Sequence, residues 1–225
     1  MSLAAADGLR CLLHHYQFLL ESVPFDAFKS LAVQDAILWQ ASDYIITAKM
    51  EHVIANEGEI TLHFREGVHP LYGLSFSFVP GDCLSLDHGH AILISRMQGR
   101  IGEAARIMRA TKACGEITPQ ASLYAALLGV AAATGVECLA GVGAVNQVCY
   151  EDSRSELFVR AYDHFFESVA GSSRRGGVFT LPLPPEVKPL SEIARSHRRR
   201  TKIKRQMKNA ITDAAQANWP RRAAS

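Results

Sequence analysis

The sequence has few of the features that identify a disulfide-bonded, membrane-spanning or strongly charged protein. Its five cysteines stand singly, with no CxxC pair, which excludes a disulfide framework and indicates reduced thiols. No apolar run is long enough to cross a bilayer, and no leader-like segment is evident at the start. The formal net charge is only +2, too small to indicate a polyanion partner. We therefore expect a cytoplasmic protein with no transmembrane segment.

The length and composition indicate one domain with a segment added at each end. A chain of 225 residues, 48% of them hydrophobic, can bury a core without metals or disulfides. We expect a helical segment over residues 1–42 packed on the core, an α/β core over 43–185, and a basic helix and tail over 186–225. Positive charge is concentrated in this last segment, because the stretch from Arg195 to Lys208 contains eight Lys or Arg and no acidic residue.

The first half is expected to hold a helix followed by strands. Leucines and other apolar residues at helical spacing predict a helix over residues 8–22, which Pro24 ends. Residues 25–41 fit either a second short helix or a loop. Alternating and β-branched residues then predict four strands, over 44–46, 59–65, 71–78 and 91–94. Short connections rich in glycine, proline and asparagine favour an antiparallel meander.

The second half is expected to be mainly helical. Ile101 and the apolar residues that follow it predict an amphipathic helix that Gly115 ends. Thr118 as N-cap and Pro119 at the first position predict a largely buried helix that ends at Gly135. Three further elements and a polar C-terminal helix are predicted: a strand over 136–142, a helix over 157–169, a strand over 178–183, and the last helix from about Leu190.

This order of elements resembles the GNAT acyltransferase fold. An antiparallel meander enters a helical crossover, expected to be right-handed, into a parallel strand, and a helix and a last strand follow. The predicted fold class is therefore α/β, a GNAT-like mixed sheet with an N-terminal helix and a basic C-terminal helix. The resemblance implies acyl-CoA or aminoacyl-tRNA as co-substrate and no metal, but order of elements is an associational argument for function.

The turn after the fourth predicted strand is the first candidate site. In the GNAT fold this corner holds the pyrophosphate of acyl-CoA, and residues 96–102 resemble a loose form of that superfamily's R/Q-x-x-G-x-G/A loop. Backbone N–H groups at a strand-to-helix turn can bind an anion. The donor-binding residues predicted here are Arg96, Gln98, Gly99, Arg100 and Gly102. The alternative is a tight corner with solvated arginines.

Candidate catalytic residues follow the strand predicted over 136–142. Tyr150 can act as a general acid toward a leaving thiolate, and Glu151 can accept a proton from an amine. Asn146 is a candidate for substrate binding. The alternative is a helix-capping asparagine beside a half-buried tyrosine.

Polar residues of the helix over 157–169 and of the basic tail form a further candidate. Tyr162, Asp163 and Arg199 are assigned to substrate binding. Asp163 and Glu167 lie four residues apart on one helix face, where they can bind a cationic substrate or form salt bridges with the basic tail. The tail itself can bind tRNA, anionic lipid or CoA phosphates, or remain solvated. Asp87, His88 and His90 lack a further ligand at defined spacing, so no metal site is predicted.

Several segments together resemble the VirK/YbjX family of bacterial proteins, over nearly the whole chain. They are HHYQFLLES, EGEITLHF, LYGLSFSF, ILISRMQG, MRATKACGEITPQASLYAAL, AYDHFFESVAG and FTLPLP, with the basic helix after them. The family is associated with envelope and virulence phenotypes, and the resemblance implies no particular reaction. Family members usually have a longer N-terminal region, so this chain resembles a trimmed relative.

Three hypotheses of function follow from the sequence. The first is a GNAT-like acyl or aminoacyl transferase acting from a CoA-, carrier- or tRNA-linked donor on an amine. The second is a non-catalytic module that binds an anionic partner through the segment from Arg195 to Lys208. The third is modification of a peptide that adds to an exposed strand edge.

Overall fold

The computed structural model describes residues 5–51, 58–169 and 171–222. The strands are β1 (Ala36–Ala41), β2 (Tyr44–Met50), β3 (Ile60–Glu66), β4 (His69–Pro80), β5 (His90–Gly99), β6 (Cys138–Val142), β7 (Ser173–Arg175) and β8 (Val178–Pro182). The helices are α1 (Ala5–Ser22), α2 (Phe25–Val33), α3 (Ala104–Ala113), α4 (Pro119–Thr134), α5 (Ser155–Ala161), α6 (Asp163–Ser168) and α7 (Arg195–Asn218).

The described strands form one eight-stranded mixed sheet in the order β1-β2-β3-β4-β5-β6-β8-β7. Neighbouring strands are antiparallel except β5 and β6, which are parallel and are joined through α3 and α4. A parallel pair needs such a crossover, whereas the antiparallel pairs of β1 to β5 are joined directly. The predicted α/β class, the meander and the parallel crossover are therefore confirmed.

Helix α4 lies at the centre of the fold, and its ends are set by the residues predicted from the sequence. The Thr118 hydroxyl accepts a hydrogen bond from the backbone N–H of Ala121 at 3.2 Å, and Pro119 begins the helix. Gly135 ends it with φ of +69°, a conformation that glycine adopts without steric cost. Helix α4 contacts β3, β4 and β5 as well as α7, which explains why most of its residues are buried.

Two strands are not predicted from the sequence. Strand β1 lies in the stretch 25–41 that was expected to be a helix or a loop, and this stretch contains α2 as well. It has a β-bulge between Ile37 and Trp39, and Ile37 is exposed, so the alternation that marks a strand is broken. Strand β7 has three exposed residues, too few for a pattern. The segment 1–42 thus contributes a strand of the sheet in addition to its helices.

The C-terminal helix packs on the core through its second half. Ile211, Ala215 and Trp219 are buried, and the Asn218 side chain donates a hydrogen bond to the carbonyl of Leu38 at 3.0 Å. The first half of α7 is mostly exposed. A helix starting near Leu190 was predicted, and the structure has a short 3₁₀ turn there before α7 begins at Arg195.

Candidate functional site

Strands β5 and β6 separate after a short paired stretch. Residues 92–94 of β5 pair with residues 139–141 of β6, whereas β5 continues to Gly99 paired with β4 alone. At the last paired position, β6 passes directly over a phenyl ring, because a Cβ at Gly141 would lie 2.3 Å from the ring of Phe166. The sheet therefore opens between the end of β5 and the residues that follow β6.

A β-bulge in β5 marks the start of this opening. Ser75 of β4 pairs with Arg96 and the next residue, Phe76, pairs with Ile94, so Ser95 is the extra residue on β5. The Ser95 hydroxyl donates a hydrogen bond to the carbonyl of Ser75 at 3.2 Å. Bulges redirect side chains and change strand twist, and they are common beside active sites.

The opening holds a cavity of about 420 Å³, which we call the apolar cleft. One wall is the end of β5 and the turn after it, and the other wall comes from α5 and the loop before it. The residues that line it are Tyr72, Met97, Gln98, Gly99, Ile101, Cys149, Arg154, Leu157, Phe158, Ala161 and Tyr162. Most of these side chains are apolar or aromatic, as in pockets that hold organic ligands.

Tyr162 closes the inner end of the opening. Its hydroxyl accepts a hydrogen bond from the backbone N–H of Met97 at 3.4 Å, and the residue is only 6% exposed. Tyr162 separates α5 from α6, so the single helix predicted over 157–169 is broken at this position. Burial, and secondarily the neighbouring Tyr162, raise the pKa of Tyr72 above its ordinary value. The Tyr72 phenol is therefore protonated at neutral pH and can donate a hydrogen bond.

A second cavity, of about 170 Å³, borders the apolar cleft, and we call it the polar pocket. Tyr72, Gln98 and Gly99 line both cavities. The remaining residues of the polar pocket are His63, Pro70, Gly73, Arg96 and Arg100. The Arg96 guanidinium is held by Gln98, whose side-chain oxygen accepts bonds from Nε at 3.2 Å and from an Nη at 2.8 Å.

The polar pocket contains a histidine paired with a carboxylate. His63 Nε2 lies 2.8 Å from Glu51 Oε1, and both side chains are largely buried, at 16% and 22% exposure. In the sheet, His63 pairs with Gly73, and Gly73 pairs with Gln98 on its other side. Glu51 and His63 were not predicted from the sequence, because they are twelve residues apart, one just after β2 and the other on β3, and no short motif links them. His63 also sits at a polar position of an alternating strand, which gives no local signal of a site.

The predicted donor loop is arranged differently from the expectation. Strand β5 extends to Gly99, so Arg96, Gln98 and Gly99 are strand residues, and the turn itself covers residues 100–103. The Arg100 N–H donates to the carbonyl of Leu71 at 2.9 Å, so it is not available to an anion. Gly102 has φ of +86°, which explains a glycine there. The other four residues predicted for the donor loop do lie together. They line the polar pocket and not an anion-binding turn: Arg96, Gln98, Gly99 and Arg100.

The two predicted catalytic residues lie near the outer rim of the apolar cleft. Tyr150 is half-buried and contacts Phe158, a residue of the cleft wall, edge to face at 5.5 Å between ring centroids. Glu151 is exposed and forms a double hydrogen bond with Arg154, at 2.7 and 2.9 Å. This bond is the main cause that lowers the pKa of Glu151, which weakens it as a base. Their catalytic roles stay predictions.

The predicted substrate-binding residues are not all brought together. Tyr162 lines the apolar cleft. Asn146 donates a hydrogen bond to the carbonyl of Gly176 at 3.1 Å, on the β7–β8 turn. Asp163 accepts one from the Ala144 N–H at 2.7 Å.

The salt bridge expected between Asp163 and the basic tail is wrong. Asp163 pairs with Arg174 of β7 at 2.9 Å, because α6 packs beside this edge of the sheet. In the tail, Arg198 donates to the carbonyls of Ser191 and Ile193, and Arg200 pairs with Glu116. Arg199 is exposed on α7.

The described part of the chain has neither a cluster of metal ligands nor a membrane-spanning helix. Among these residues, no three His, Cys, Asp or Glu side chains are grouped in a way that could hold a metal ion. The helices described are also too short or too polar to span a membrane.

Comparison with known proteins gives a family over nearly the whole length. The model of a family described as "Protein of unknown function (DUF535)" matches residues 1–217. No curated protein matches significantly. The family match agrees with the VirK/YbjX resemblance of the sequence segments. The chain therefore belongs to the DUF535 family.

Proposed function

We propose that the chain is a GNAT-like acyl or aminoacyl transferase, which moves an acyl group from a CoA-, carrier-protein- or tRNA-linked donor to an amine. In this reaction the amine nitrogen bonds to the acyl carbon and the carbon–sulfur or carbon–oxygen bond of the donor breaks. The amine nitrogen loses one proton, and the leaving group gains one. The observation that carries the proposal is an open strand edge of β5 beside the apolar cleft, next to a smaller polar pocket.

The strand order supports the resemblance to the GNAT fold. An antiparallel meander, a helical crossover into a parallel strand and further antiparallel strands are the elements on which the resemblance is based. Because fold alone does not imply activity, the proposed activity depends on the residues of the site.

The end of β5 is suited to an elongated donor that contains amide groups. Residues 95–99 pair with β4 on one side and with no strand on the other, where the Met97 N–H donates to the Tyr162 hydroxyl, and a strand edge of this kind can bond to an extended ligand through its carbonyl groups. The pantetheine arm of CoA or of a carrier protein contains two amides and is long and narrow. The side chains of Leu157 and Phe158 give it an apolar wall on the opposite side. A donor placed here has its acyl carbon near Gln98 and Gly99, where the two cavities meet.

A tyrosine hydroxyl is the proton donor to the leaving group in this proposal. Tyr162 is well placed, because its hydroxyl is at the opening of the sheet and lines the cleft. Tyr150 stands farther out, behind Phe158, and is the second candidate. A phenol that donates its proton to a thiolate acts as a general acid.

The test is calorimetric binding of acetyl-CoA and filter binding of aminoacyl-tRNA to three proteins. The exposed Leu157 becomes arginine in the first variant, which places a charge in the cleft wall. In the matched control, Val33→Arg, the same charge is added to an exposed apolar residue of α2. We expect Leu157→Arg to weaken donor binding by about tenfold or more, or about 1.4 kcal/mol, and Val33→Arg to leave it unchanged. The absence of binding to wild type, or equal binding by both variants, would refute the proposal.

A second candidate function, binding of a polyanion, is favoured by the charge pattern of α7. Seven of the eight cations between Arg195 and Lys208 lie in the N-terminal half of the helix, and the helix dipole disfavours the positive charge of those in its first turn. Several are four residues apart, which adds like-charge repulsion. Arg198, Arg200 and Arg205 bond to neighbouring groups, whereas Arg199 and Lys202 lie on the exposed face. This costly arrangement is understandable if α7 contacts phosphates.

Point variants test this candidate better than removal of the helix, because truncation would also remove Trp219 from the core. We expect Arg199→Gln/Lys202→Gln to weaken binding of bulk tRNA and to reduce the slope of log affinity against log salt by about 2. The control Lys29→Gln/Arg221→Gln removes equal charge elsewhere. Binding to anionic lipid vesicles but not to tRNA would indicate a membrane surface instead, and equal loss in both variants would contradict a specific role for α7.

A further inference from the structure

We propose that the polar pocket is the acceptor site of this transferase, that His63 is its general base, and that the acceptor is a small amine that also carries a carboxylate. The inference rests on the proposed function, since it names the second substrate of the same reaction. It depends on a different set of residues from those that bind the donor: Glu51, His63, Gly73, Arg96 and Arg100.

The pairing of His63 with Glu51 fixes which ring nitrogen is basic. A carboxylate accepts hydrogen bonds only, so the Nε2 atom that lies 2.8 Å from Glu51 carries the proton. The other nitrogen, Nδ1, then keeps its lone pair. Nδ1 lies 4.0 Å from the position that a Cβ on Gly73 would take, so it is on the side of the strand that lines the pocket. A histidine oriented by a carboxylate in this way is a common general base.

A purely structural ion pair is the simpler alternative, and the surroundings of His63 argue against it. The other histidine–carboxylate pair described, His88 with Glu137, is wider at 3.7 Å, and its glutamate is 80% exposed. The His63–Glu51 pair is shorter and more buried, and His63 itself lines a cavity. A buried pair that only held two strands together would have no need of an adjacent pocket.

Gly73 creates the space for the acceptor. It lies between His63 and Gln98 across three adjacent strands, so any side chain at this position would occupy the pocket. A Cβ there would make only ordinary contacts, the nearest at 3.6 Å to Thr61. The backbone at this position therefore does not require a glycine. The lack of a side chain at Gly73 leaves space in the polar pocket. The volume of about 170 Å³ limits the acceptor to about the size of an amino acid.

The charged side chains of the polar pocket indicate that the acceptor carries a carboxylate in addition to its amine. Arg96 and Arg100 both line it, and Gln98 holds the Arg96 guanidinium in place. Guanidinium groups bind carboxylates with directed, charge-assisted hydrogen bonds. Among the described residues, the charged groups that bond to His63 or line its pocket are Glu51, Arg96 and Arg100. Lys49 and Arg65 lie two residues along on the same face of the sheet, and the register neighbours Thr47 and Gly73 are uncharged.

The proposed reaction needs no reactant besides the acyl donor and the amine acceptor. The acceptor's amine nitrogen attacks the acyl carbon near Gln98 and Gly99, and a carbon–nitrogen bond forms. His63 Nδ1 takes the proton that the nitrogen loses, the donor's carbon–sulfur or carbon–oxygen bond breaks, and a tyrosine of the cleft gives a proton to the leaving group. Solvent then restores both side chains to their starting protonation states.

The test uses the full chain with two donors, acetyl-CoA and a mixture of aminoacyl-tRNAs, and two acceptor pools. One pool contains the amino acids, and the other contains the corresponding amines without the carboxylate. Products are identified by mass spectrometry. We expect product from the amino acid pool and at least tenfold less from the amines. No product from either pool, when donor binding is intact, or product from the amines alone, overturns the inference while leaving the donor cleft in place. Failure of donor binding overturns the proposed function itself.

Four variants separate a catalytic from a structural role. His63→Gln is expected to lower kcat about 100-fold or more with donor affinity unchanged. Gly73→Leu is expected to raise the KM for the acceptor at least tenfold, because it fills the pocket while leaving every chemical group in place. Glu51 acts through His63 as a positioning residue. Glu51→Ala is expected to lower kcat about tenfold or more with the KM for the acceptor unchanged, and Glu51→Gln, whose amide oxygen can still accept the Nε2 hydrogen bond, is expected to restore part of this loss.

The control is His88→Gln, which removes a histidine outside both cavities and is expected to change none of these quantities. Equal kcat in Glu51→Ala and wild type, or no recovery of kcat in Glu51→Gln, contradicts the positioning role. Equal kcat in His63→Gln and wild type contradicts the base assignment, and donor binding measured on the same samples shows whether each variant is folded.

Discussion

The contact between α4 and α7 gives a stability prediction in which two effects of one substitution oppose each other. Gly129 lies in the interior of α4, where glycine costs a helix about 1 kcal/mol relative to alanine. On propensity alone, Gly129→Ala should stabilise the protein. Its Cβ, however, would lie 2.3 Å from the carbonyl oxygen of Thr212 and 2.8 Å from both Ala215 Cβ and Gln216 N.

The contact distance decides which effect is larger. Two of the three atoms belong to the backbone of α7, so the overlap is relieved only if the helices move apart. Helix α7 is held in place by Trp219 and by the Thr212 hydroxyl, which donates to the carbonyl of Ala125 at 2.9 Å. Overpacking of this kind costs about 1–3 kcal/mol, and we expect the upper part of that range. After subtraction of the helix-propensity gain, the free energy of unfolding should fall by about 1–2 kcal/mol.

Thermal unfolding followed by circular dichroism measures the outcome. For a chain of this size the expected loss lowers Tm by about 2–8 °C. The matched control is Gly8→Ala in α1, where no atom lies within 4 Å of the new Cβ, so the same substitution should leave Tm unchanged or raise it. If Gly129→Ala raises Tm as Gly8→Ala does, the close packing of α4 on α7 is refuted.

Three further predictions concern pH, the core and the cleft. Burial lowers the pKa of His15 to about 3, so the folded protein keeps it neutral while the unfolded chain takes up a proton below its ordinary pKa of 6.5. Stability should therefore be full above pH 6.5 and fall between pH 6.5 and 3, by up to about 1.4 kcal/mol per pH unit, and His15→Gln should reduce this slope in urea titrations; an identical slope contradicts it. Trp219→Ala should cost about 3–5 kcal/mol of unfolding free energy, and a loss below 1 kcal/mol would show that α7 is not anchored there. Cys149, the exposed cysteine of the apolar cleft, should be alkylated faster than the buried Cys138 and should be protected by bound acetyl-CoA; labelling that is indifferent to the donor contradicts the cleft assignment.

Much of the fold could be predicted because its signals are local. Thr118, Pro119 and Gly135 each act within one helical turn, so the ends of α4 can be read from the sequence. The meander likewise follows from alternation and from short turns. Strand β1 could not be predicted, since its bulge and the exposed Ile37 hide the alternation and its pairing with β2 becomes clear only in the sheet.

The candidate site was only partly predictable, because its geometry depends on contacts between distant segments. Arg96 and Gln98 were assigned to a turn, but β5 continues through them, so their side chains line a face of the sheet. Tyr162 was identified as a candidate, although its hydrogen bond to Met97 joins residues 65 positions apart. His63 was missed because its partner is Glu51 and its pocket depends on the missing side chain of Gly73.

The central claim is that the opening between β5 and β6 holds an acyl donor, and a crystal structure with a non-hydrolysable acetyl-CoA analogue tests it most directly. We expect the pantetheine arm to lie along residues 95–99 of β5, with Leu157 on its other side and the acyl carbon beside Gln98. The analogue bound elsewhere on the protein, or an opening that stays empty at saturating analogue, would contradict it.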